Sequence, residues 1–470
     1  MAVVGSERRP LLTILFVVTA VPLLARGIRQ PSPGFGASGL ALLLAARGVA
    51  LRRPVTARHV GAAASVGLLA CMAIDGGHPA LTVFLGGAAG AVLSRPLPPP
   101  PPGDEAARRR IWALVERTTG DPVAPFSLRR DKSYLFTPDS RAAIAYRVRF
   151  GTAIASGDPV GDRDAFPAAV AGFIAHAATA GWRVGVLGAG QAVLPLWQAH
   201  GLRAVPIGRD VVLDVGTFTM AGRRFRNLRQ AVARSHNAGV STEVVAERDL
   251  GGALRADLEQ VVRLTPHRDP DRGFSMILDG LLDGVHPGML IAVARDRTGT
   301  VVAFHRYATA NHGRELSLDV PWRVPGTPNG VEERLVADMV AWGRQRGASQ
   351  VSLAFAAFPE LFAARAVRRS GGRRASHPAH QRGGVPGARA AAYWATRGLA
   401  PLIRVEPLYR FLRKFHAFGG RRYVVLRPVD VFWSAAAMLT LESGTHLPWS
   451  DRPPRSGAGA AVPVPVADEP

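Results

Sequence analysis

Apolar and polar positions divide the chain into two parts with different periodicities. Within the first 95 residues, apolar runs follow one another at positions 11–25, 34–51, 60–74 and 80–93. A helix needs about 20 apolar residues to cross the hydrocarbon core, so each run is short for a span. The first run, which follows Arg8 and Arg9, also fits a secretory signal peptide. Because three more runs follow it, the pattern favours about four transmembrane helices over residues 1–95.

The arginines between these runs predict which side of the membrane each loop faces. Arg52, Arg53 and Arg58 lie between the second and third runs, whereas the loop with Asp75 and His78 has no Lys or Arg. Positively charged loops stay preferentially in the cytoplasm. We therefore expect a multi-pass protein of the cell membrane with a cytoplasmic N-terminus and body, although the arginines between the first two runs break this rule.

A linker separates the apolar part from the body. Residues 96–102 form a nearly continuous proline stretch, which predicts an extended and stiff spacer. Residues 111–117 follow as an amphipathic helix, and this pattern fits a helix at the membrane interface as well as a solvated linker helix. We assign residues 96–125 to this linker.

In the body, strand-like and helix-like patterns alternate. Strands are predicted at 134–136, 142–149, 152–156, 182–187, 289–295, 301–309, 315–320 and 350–356, and helices at 165–180, 192–200, 224–238, 254–264 and 331–346. This order predicts two α/β lobes of related pattern, at 126–220 and 221–435. Residues 365–390 are rich in Arg, Gly, Ser and Pro, which fits a solvated loop or a segment that orders over a polyanion. Residues 436–470 predict a mostly disordered tail.

Charge and cysteine content narrow the classes of partner. The 470 residues carry a formal net charge of +23, which favours nucleic acid, anionic lipid or both as partners. Nearly all of this charge is arginine, because Lys132 and Lys414 are the only lysines. The single cysteine, Cys71, excludes an internal disulfide and a cysteine-based metal site. The histidines are scattered, so we expect neither a metal nor a cofactor.

One predicted helix carries a basic face. Arg223, Arg226, Gln230 and Arg234 lie near one side of the helix predicted at 224–238. Guanidinium groups bind phosphate in a bidentate manner and stay charged at physiological pH. The face therefore fits an RNA backbone or a phospholipid headgroup, and it equally fits a solvated surface.

Several further motifs occur in a fixed order along the body. They are Ala155-Ser-Gly-Asp-Pro-Val-Gly161, Gly222-Arg-Arg-Phe-Arg-Asn-Leu-Arg-Gln-Ala231, Arg272-Gly-Phe-Ser275, Leu316-Ser-Leu-Asp319, Pro328-Asn-Gly330 with Glu332, Val351-Ser-Leu-Ala-Phe-Ala-Ala-Phe358, and Leu408-Tyr-Arg-Phe411 with Lys414-Phe415 and Arg422-Tyr423. Over residues 126–428 this order resembles the C-terminal catalytic domain of the phosphatidylglycerol lysyltransferases, the multiple-peptide-resistance family. The resemblance implies an α/β fold of the tandem acetyltransferase-like (dupli-GNAT) type, with the site in the groove between two lobes.

The resemblance also implies a reaction and its partners. Such an enzyme moves an aminoacyl group from aminoacyl-tRNA to phosphatidylglycerol. Family members often carry a longer membrane region that flips the product lipid, so a separate flippase would be a further partner here. The family usually has an arginine soon after the aspartate that corresponds to Asp319, whereas the nearest one here is Arg323. The sequence indicates neither the transferred amino acid nor an oligomeric state.

Aminoacyl transfer to a lipid hydroxyl needs a proton acceptor, stabilisation of an oxyanion and recognition of the aminoacyl ammonium. Asp319, Glu332 and Glu406 are the candidate catalytic carboxylates. Each also has a structural explanation, as a turn cap, a helix N-terminal residue or an ion-pair partner, respectively. The candidate substrate-binding residues, cations for phosphate and asparagines for positioning, are Arg224, Arg226, Asn227, Arg229, Arg323, Asn329 and Lys414.

Two other hypotheses remain open from the sequence. One is an acetyltransferase-like enzyme with another donor or acceptor, such as acyl-CoA, which would bind a pyrophosphate at a helix N-terminus beside separated strands. The other is a non-catalytic tether that holds RNA or anionic lipid. An enzyme predicts that at least two of Asp319, Glu332 and Glu406 converge on a pocket, whereas a tether predicts that they do not.

Overall fold

The computed structural model describes residues 33–50, 57–265, 273–357 and 405–443. The first apolar run and the Arg-rich segment 365–390 lie outside these residues, as does the part of the predicted tail beyond residue 443. The prediction of a disordered tail from residue 436 is wrong for residues 436–443, which form the end of a helix whose apolar side chains are partly buried. The other three apolar runs coincide with helices α1 Pro33–Ala50, α2 Ala57–Asp75 and α3 Pro79–Leu93.

Helices α1 to α3 pack closely through small residues. A Cβ atom on Gly90 of α3 would lie 2.5 Å from the carbonyl oxygen of Ala41 on α1, so only glycine permits this approach. None of the described helices is both long enough and apolar enough to cross a membrane. The four expected spans are therefore not confirmed.

The proline stretch is held against the body and is not a free spacer. The amide of Leu97 donates to the carbonyl of Ala180 at 2.9 Å, and the indole of Trp182 donates to the carbonyl of Leu97 at 2.8 Å. The hydroxyl of Ser133 donates to the carbonyl of Pro101 at 2.9 Å. These bonds attach the prolines along one side of the first lobe.

Helix α4, Glu105–Val115, is amphipathic as expected, but its apolar face packs on the protein. Its N-cap, Asp104, accepts a hydrogen bond from the amide of Ala107 at 2.8 Å. Ile111, Leu114 and Val115 are buried. They pack in one cluster with residues from both lobes, namely Phe126, Leu128, Ala143, Met289, Ala308 and Ala310. Neither a membrane-interface helix nor a solvated linker helix describes α4.

The body consists of two lobes built on one sheet. The first lobe contains strands β1 Ser133–Phe136, β2 Ala142–Arg149, β3 Thr152–Ser156, β4 Val160–Gly161, β5 Arg183–Gly190 and β6 Arg203–Asp214, with helices α5 Phe166–Ala180 and α6 Leu194–Gln198. The second lobe contains helices α7 Arg226–Asn237, α8 Gly252–Leu264, α9 Val331–Gln345, α10 Val405–Leu412 and α11 Val431–Ser443, with strands β7 Ser241–Ala246, β8 Met289–Arg295, β9 Val301–Ala310, β10 Glu315–Arg323, β11 Gln350–Ala357 and β12 Phe418–Leu426.

The lobes exchange their last strands. The described strands follow the order β1-β2-β3-β5-β12-β6-β11-β10-β9-β8-β7, and β4 pairs with β2. Strand β12, from the end of the second lobe, pairs with β5 of the first, whereas β6 pairs with β11 of the second. The cores reflect the exchange, because Val425 of β12 lies in the first-lobe core while Val211 and Leu213 of β6 lie in the second. The expected boundary between residues 220 and 221 therefore divides the sequence, but the sheet is continuous across the two lobes.

Each lobe contains one parallel strand–helix–strand unit. In the first lobe β3 and β5 are parallel and joined through α5, and in the second β10 and β11 are parallel and joined through α9. Helix crossovers of this kind are the usual connection between parallel strands. The two parts of the body thus share one parallel strand–helix–strand unit each, within a mixed α/β sheet.

Candidate active site

A cavity of about 580 Å³ opens in the second lobe. The described residues that line it come from α7, the end of β10, the turn before α9, the first turn of α9, α10 and the turn that follows α10. They are Arg234, Arg323, Asn329, Gly330, Glu332, Glu333, Arg410, Phe411 and Lys414. All of them belong to the second lobe, so this cavity does not lie in the groove between the lobes that the resemblance implied.

The strand whose end reaches the cavity separates from its parallel neighbour. Strands β10 and β11 pair at only three positions, from Glu315 with Gln350 to Ser317 with Ser352. The pairing of β10 with β9 skips Asp319, which forms a β-bulge. Bulges bend a strand and change the direction of the residues beyond them. The bent end of β10 carries Arg323 to the cavity.

Gly330 positions the helix that closes the gap. It is the N-cap residue of α9 and has a φ of 98°, a value that favours glycine. A Cβ atom at this position would lie 2.0 Å from the carbonyl oxygen of Ala231 on α7. Glycine therefore permits the close contact of α7 with the start of α9, which brings Arg234 to the same cavity as Glu332.

Opposite charges face each other across the cavity. Lys414 Nζ donates to the Glu333 carboxylate, and the two side chains are 40% and 8% exposed. Glu332 and Glu333 both lie in the first turn of α9, where the positive end of the helix dipole stabilises carboxylates. Arg234, Arg323 and Arg410 add three guanidinium groups. Such a mixture can bind phosphate through its cations and an ammonium group through its carboxylates.

Four of the expected site residues line this cavity. Glu332, Arg323, Asn329 and Lys414 are brought together although they are up to 91 positions apart in the chain. Sequence reasoning did not select Glu333, Arg410 or Phe411. The signal for Glu333 was its place beside Glu332 in a predicted first helical turn, and the signal for Arg410 and Phe411 was the motif that contains them.

The remaining substrate-binding candidates lie outside the cavity, in the turn before α7 and on the first turn of that helix. Arg224, Arg226, Asn227 and Arg229 are all exposed. The guanidinium group of Arg229 donates to the carbonyls of Met220 and Gly222, so it also holds the turn before the helix. Arg234 lies farther along this helix, at the cavity. A basic surface therefore leads along α7 toward the cavity.

Asp319 does not line the cavity. Its carboxylate accepts a hydrogen bond from the amide of Leu278 at 2.7 Å and pairs with Arg306 Nη1 at 3.0 Å. Arg306 also binds Glu247 through two hydrogen bonds, and the side chains of Asp319, Arg306 and Glu247 are fully buried. Burial raises the pKa of Asp319, although Arg306 opposes the shift. The structure therefore corrects the expected position of Asp319: its carboxylate belongs to a buried ion-pair network at the bulge.

Of the three expected carboxylates, only Glu332 is among the described residues that line the cavity, so the convergence of two of them that an enzyme predicts is not shown. Glu332 lies at the cavity, Asp319 lies in the buried network, and Glu406 lies in the first turn of α10 with its side chain outside the described atoms. Within the described residues, no group of three or more His, Cys, Asp or Glu side chains is arranged to hold a metal ion. The chemistry available at the cavity is that of carboxylates, guanidinium groups and one ammonium group.

Comparison with known proteins places this body among characterised families. Residues 112–426 match the family model described as phosphatidylglycerol lysyltransferase, C-terminal. The MprF-like domain protein Rv1619 of Mycobacterium tuberculosis (strain ATCC 25618 / H37Rv) is 45% identical over 410 residues, which cover 86% of this chain and 80% of that protein. The lysylphosphatidylglycerol biosynthesis bifunctional protein LysX of Mycobacterium avium (strain 104) is 36% identical over 247 residues, which cover 52% of this chain but only 20% of LysX.

Two solved structures share the fold. L-PGS from Bacillus licheniformis aligns with a TM-score of 0.58 at 20% identity and covers 72% of this chain and 97% of its own. The C-terminal domain of a putative lysylphosphatidylglycerol synthetase from Agrobacterium fabrum aligns with a TM-score of 0.60 at 22% identity, covering 72% and 98%. These likenesses show that the body shares the fold of those two proteins. With the family model matched over most of the body, the chain belongs to the family of phosphatidylglycerol lysyltransferase C-terminal domains.

Proposed function

We propose that this protein transfers an aminoacyl group from aminoacyl-tRNA to phosphatidylglycerol. The observation that carries the proposal is the cavity of mixed charge, which lies within the part of the chain that matches the family model. The names of LysX and L-PGS indicate lysylphosphatidylglycerol as the product of these relatives. A lysyl or other aminoacyl lipid is accordingly the proposed product here.

The reaction exchanges one ester for another. The glycerol hydroxyl of the lipid attacks the carbonyl carbon of the aminoacyl ester, the bond to the ribose oxygen of the tRNA breaks, and the hydroxyl proton ends on that oxygen. Glu332 takes part by accepting the proton or by binding the aminoacyl ammonium. Lys414, oriented by Glu333, stabilises the oxyanion of the tetrahedral intermediate. Glu406 remains a further candidate for the ammonium.

Both substrates bring phosphate to the site. Arg234, Arg323 and Arg410 line the cavity, where they are placed to bind the lipid phosphate or the phosphates at the tRNA end. Asn329 positions polar substrate groups between them. We assign the exposed surface formed by Arg224, Arg226, Asn227 and Arg229 to the RNA backbone, because it leads along α7 to the cavity.

The first turn of α9 disfavours an acyl-CoA donor. Separated strands and a helix N-terminus would suit a pyrophosphate. Here Glu332 and Glu333 lie in that first turn, and carboxylates repel a pyrophosphate. The same carboxylates attract the ammonium of an aminoacyl group, so a charged tRNA is the better donor.

We also propose that helices α1 to α3 associate the enzyme with a membrane. Large apolar side chains are exposed on them, including Leu68, Met72 and Phe84, and exposed apolar patches on this scale mark interaction sites. The arginines between the apolar runs favour a cytoplasmic body and multiple membrane passes. Transfer of the product to the outer leaflet would then require a flippase.

Expression of the full chain in a host that makes phosphatidylglycerol but no aminoacylated lipid tests the function. Mass spectrometry of the extracted lipids should find a new species heavier by one aminoacyl residue, whose mass identifies the amino acid. We expect Glu332→Gln to lower its amount about 100-fold or more at an unchanged melting temperature. The matched control is Glu259→Gln, which removes an exposed carboxylate on α8. No aminoacylated lipid from well-expressed protein would contradict the proposal.

A second set of variants distinguishes a catalytic role of the Lys414–Glu333 pair from a purely structural one. Lys414→Met should abolish transfer and also lower the melting temperature, because it leaves Glu333 buried without its ammonium partner. The double variant Glu333→Gln/Lys414→Met removes both charges and should recover the melting temperature but not the activity. If the double variant recovers transfer, the pair is structural only and the oxyanion role is wrong.

A further inference from the structure

An exposed apolar cluster begins helix α11 and takes no part in the candidate active site. Val429, Val431, Phe432 and Trp433 form this cluster, which we call the aromatic patch. Val429 is 88% exposed and Phe432 is 73% exposed. The Phe432 and Trp433 rings contact each other edge to face at 5.3 Å between centroids. Four large apolar side chains that face solvent within five residues require a partner.

The helix that carries the patch is packed on the first lobe. On the opposite face of α11, Ala437, Met438 and Leu441 are buried in a cluster that contains Ile154 and Leu187 of the first lobe. The patch therefore belongs to an ordered surface of the sheet domain and is not the frayed end of a helix.

Arg183 ties the patch to the first lobe. Its Nε atom lies 3.2 Å from Asp430 Oδ1, and its guanidinium carbon lies 5.4 Å from the centre of the Trp433 ring. A cation over an indole face stabilises both groups. The acid nearest to the patch is therefore already paired, and Arg427 is exposed beside it.

The patch lies near the segment that connects helix α3 to the body. The backbone amide of Arg183 donates to the carbonyl of Gly151 at 2.9 Å. A Cβ atom on Gly151 would in turn lie 3.0 Å from Pro96 Cγ. Helix α3 ends at Leu93, and three residues span at most about 10 Å. The aromatic patch and the apolar helices therefore lie on the same side of the body, with exposed Arg95 between them.

We propose that the aromatic patch inserts into the headgroup region of an anionic bilayer and fixes how the body lies on the membrane. Tryptophan and other aromatic side chains are favoured at this depth, and arginines such as Arg95 and Arg427 attract anionic headgroups. The inference rests on the proposed function, because a cavity that takes a lipid headgroup must be held at the level of the headgroups. It adds a second attachment to the one assigned to α1 to α3.

A spin label at the patch measures insertion directly. Cys71 is the only cysteine, so Cys71→Ser/Phe432→Cys carries one label in the full chain. In vesicles of phosphatidylglycerol and phosphatidylcholine, we expect this label to be more accessible to oxygen than to a water-soluble nickel complex. The matched control is Cys71→Ser/Val285→Cys, since Val285 is an exposed apolar residue of the second lobe, and its label should stay accessible to nickel.

A transfer assay then connects the patch with activity. We expect Val429→Ser/Phe432→Ser to lower transfer to phosphatidylglycerol in vesicles about tenfold and to leave transfer to detergent-dispersed lipid unchanged. The control Leu264→Ser/Val285→Ser removes two exposed apolar side chains away from the patch and should change neither rate.

The two measurements separate this inference from the proposed function. A label at residue 432 that stays accessible to nickel in vesicles overturns the inference, even if the protein makes aminoacylated lipid. A label that is already shielded before vesicles are added also overturns it, because another part of the protein or a second copy then covers the patch. A label that inserts into the bilayer while no lipid product forms leaves the inference standing and contradicts the proposed function.

Discussion

The two lobes share a parallel strand–helix–strand unit, and the cavity of the candidate site is lined by residues around the unit of the second lobe. In the first lobe β3 pairs with β5 along its whole length, from Thr152 to Ser156. In the second lobe β10 pairs with β11 over three residues and then diverges. The comparison shows that a bulge and a strand separation, more than a difference in topology, distinguish the lobe that contains the candidate site.

The helices that connect the parallel strands also differ between the lobes, in the residues of their first turns. The first turn of α5 contains buried Phe166, Pro167 and buried Ala169, so it fills its end of the sheet with apolar atoms. The first turn of α9 follows Gly330 and contains Glu332 and Glu333. The first turn of α5 is thus packed with apolar side chains, whereas the first turn of α9 presents carboxylates to the cavity.

The largest effect should come from removing the glycine that allows α7 and α9 to meet. Gly330→Ala places a Cβ atom 2.0 Å from the carbonyl oxygen of Ala231 and strains a φ of 98°. We expect a loss of more than about 3 kcal/mol in the free energy of unfolding. We also expect transfer to fall by about 100-fold or more, because small displacements of catalytic groups are costly.

Gly347 provides the matched control for this variant. It also has a positive φ, 76°, but no other atom lies within 4 Å of the point that a Cβ atom would occupy there. Gly347→Ala should therefore cost only about 1 kcal/mol and keep activity. Thermal unfolding and the lipid assay together check both variants. Equal behaviour of the two would show that contact with α7 does not position the site.

The next largest effect should come from the buried network at the bulge. Asp319→Ala leaves Arg306 without one of its two carboxylate partners in a fully buried site, which should cost about 3–5 kcal/mol. Asp257→Ala, which removes an exposed carboxylate 3.6 Å from Arg295, should cost less than about 1 kcal/mol. Chemical denaturation of the purified protein measures both values.

The variant Asp319→Asn distinguishes a structural role of Asp319 from a catalytic one. Asparagine keeps an oxygen that can accept from the amide of Leu278, so part of the bulge should survive. If Asp319 only positions β10, transfer should fall in proportion to the loss of stability, and its pH profile should keep its shape. If the variant is as stable as the wild type but shows no transfer, Asp319 has a direct role in catalysis.

Sequence patterns predicted most elements of the body but missed the strands that join its lobes. Neither β6 nor β12 was expected as a strand. Polar residues interrupt their patterns, and Asp210 of β6 and Arg422 of β12 look like solvent-facing positions in sequence. In the structure Arg422 is buried, with Nε 2.8 Å from Asp210 Oδ2 and Nη2 2.7 Å from Asp121 Oδ1. A charged residue in a central strand looks exposed in sequence when the residue that neutralises it lies far away in the chain.

The candidate site was predictable to the extent that local motifs carry it. Glu332, Asn329 and Lys414 stand in short motifs, and the cavity brings them together. Asp319 also stands in a motif, but its burial depends on Arg306 and Leu278, which no local pattern connects to it. Sequence patterns therefore found several of the charged residues but could not tell which of them line the cavity.

The smallest effect concerns pH and a buried acid of the first lobe. Burial, together with nearby Asp121, raises the pKa of Asp158 to about 7, against the effect of Arg422. An unfolded aspartate has a pKa of about 4. The folded protein therefore keeps a proton that the unfolded chain loses between these values. The resulting stabilisation is complete below about pH 4 and is lost as the pH rises toward 7.

Asp158→Asn removes this titration while keeping an oxygen that can accept from the amide of Gly190. We expect the melting temperature of the wild type to fall relative to that of the variant between pH 5 and pH 8, by the equivalent of about 1–3 kcal/mol. Asp164→Asn, at an exposed carboxylate of the same lobe whose pKa is lowered by Arg141, should show no such change over this range. Parallel pH profiles for wild type and Asp158→Asn would mean that Asp158 takes up no proton in this range on folding, and would contradict its raised pKa.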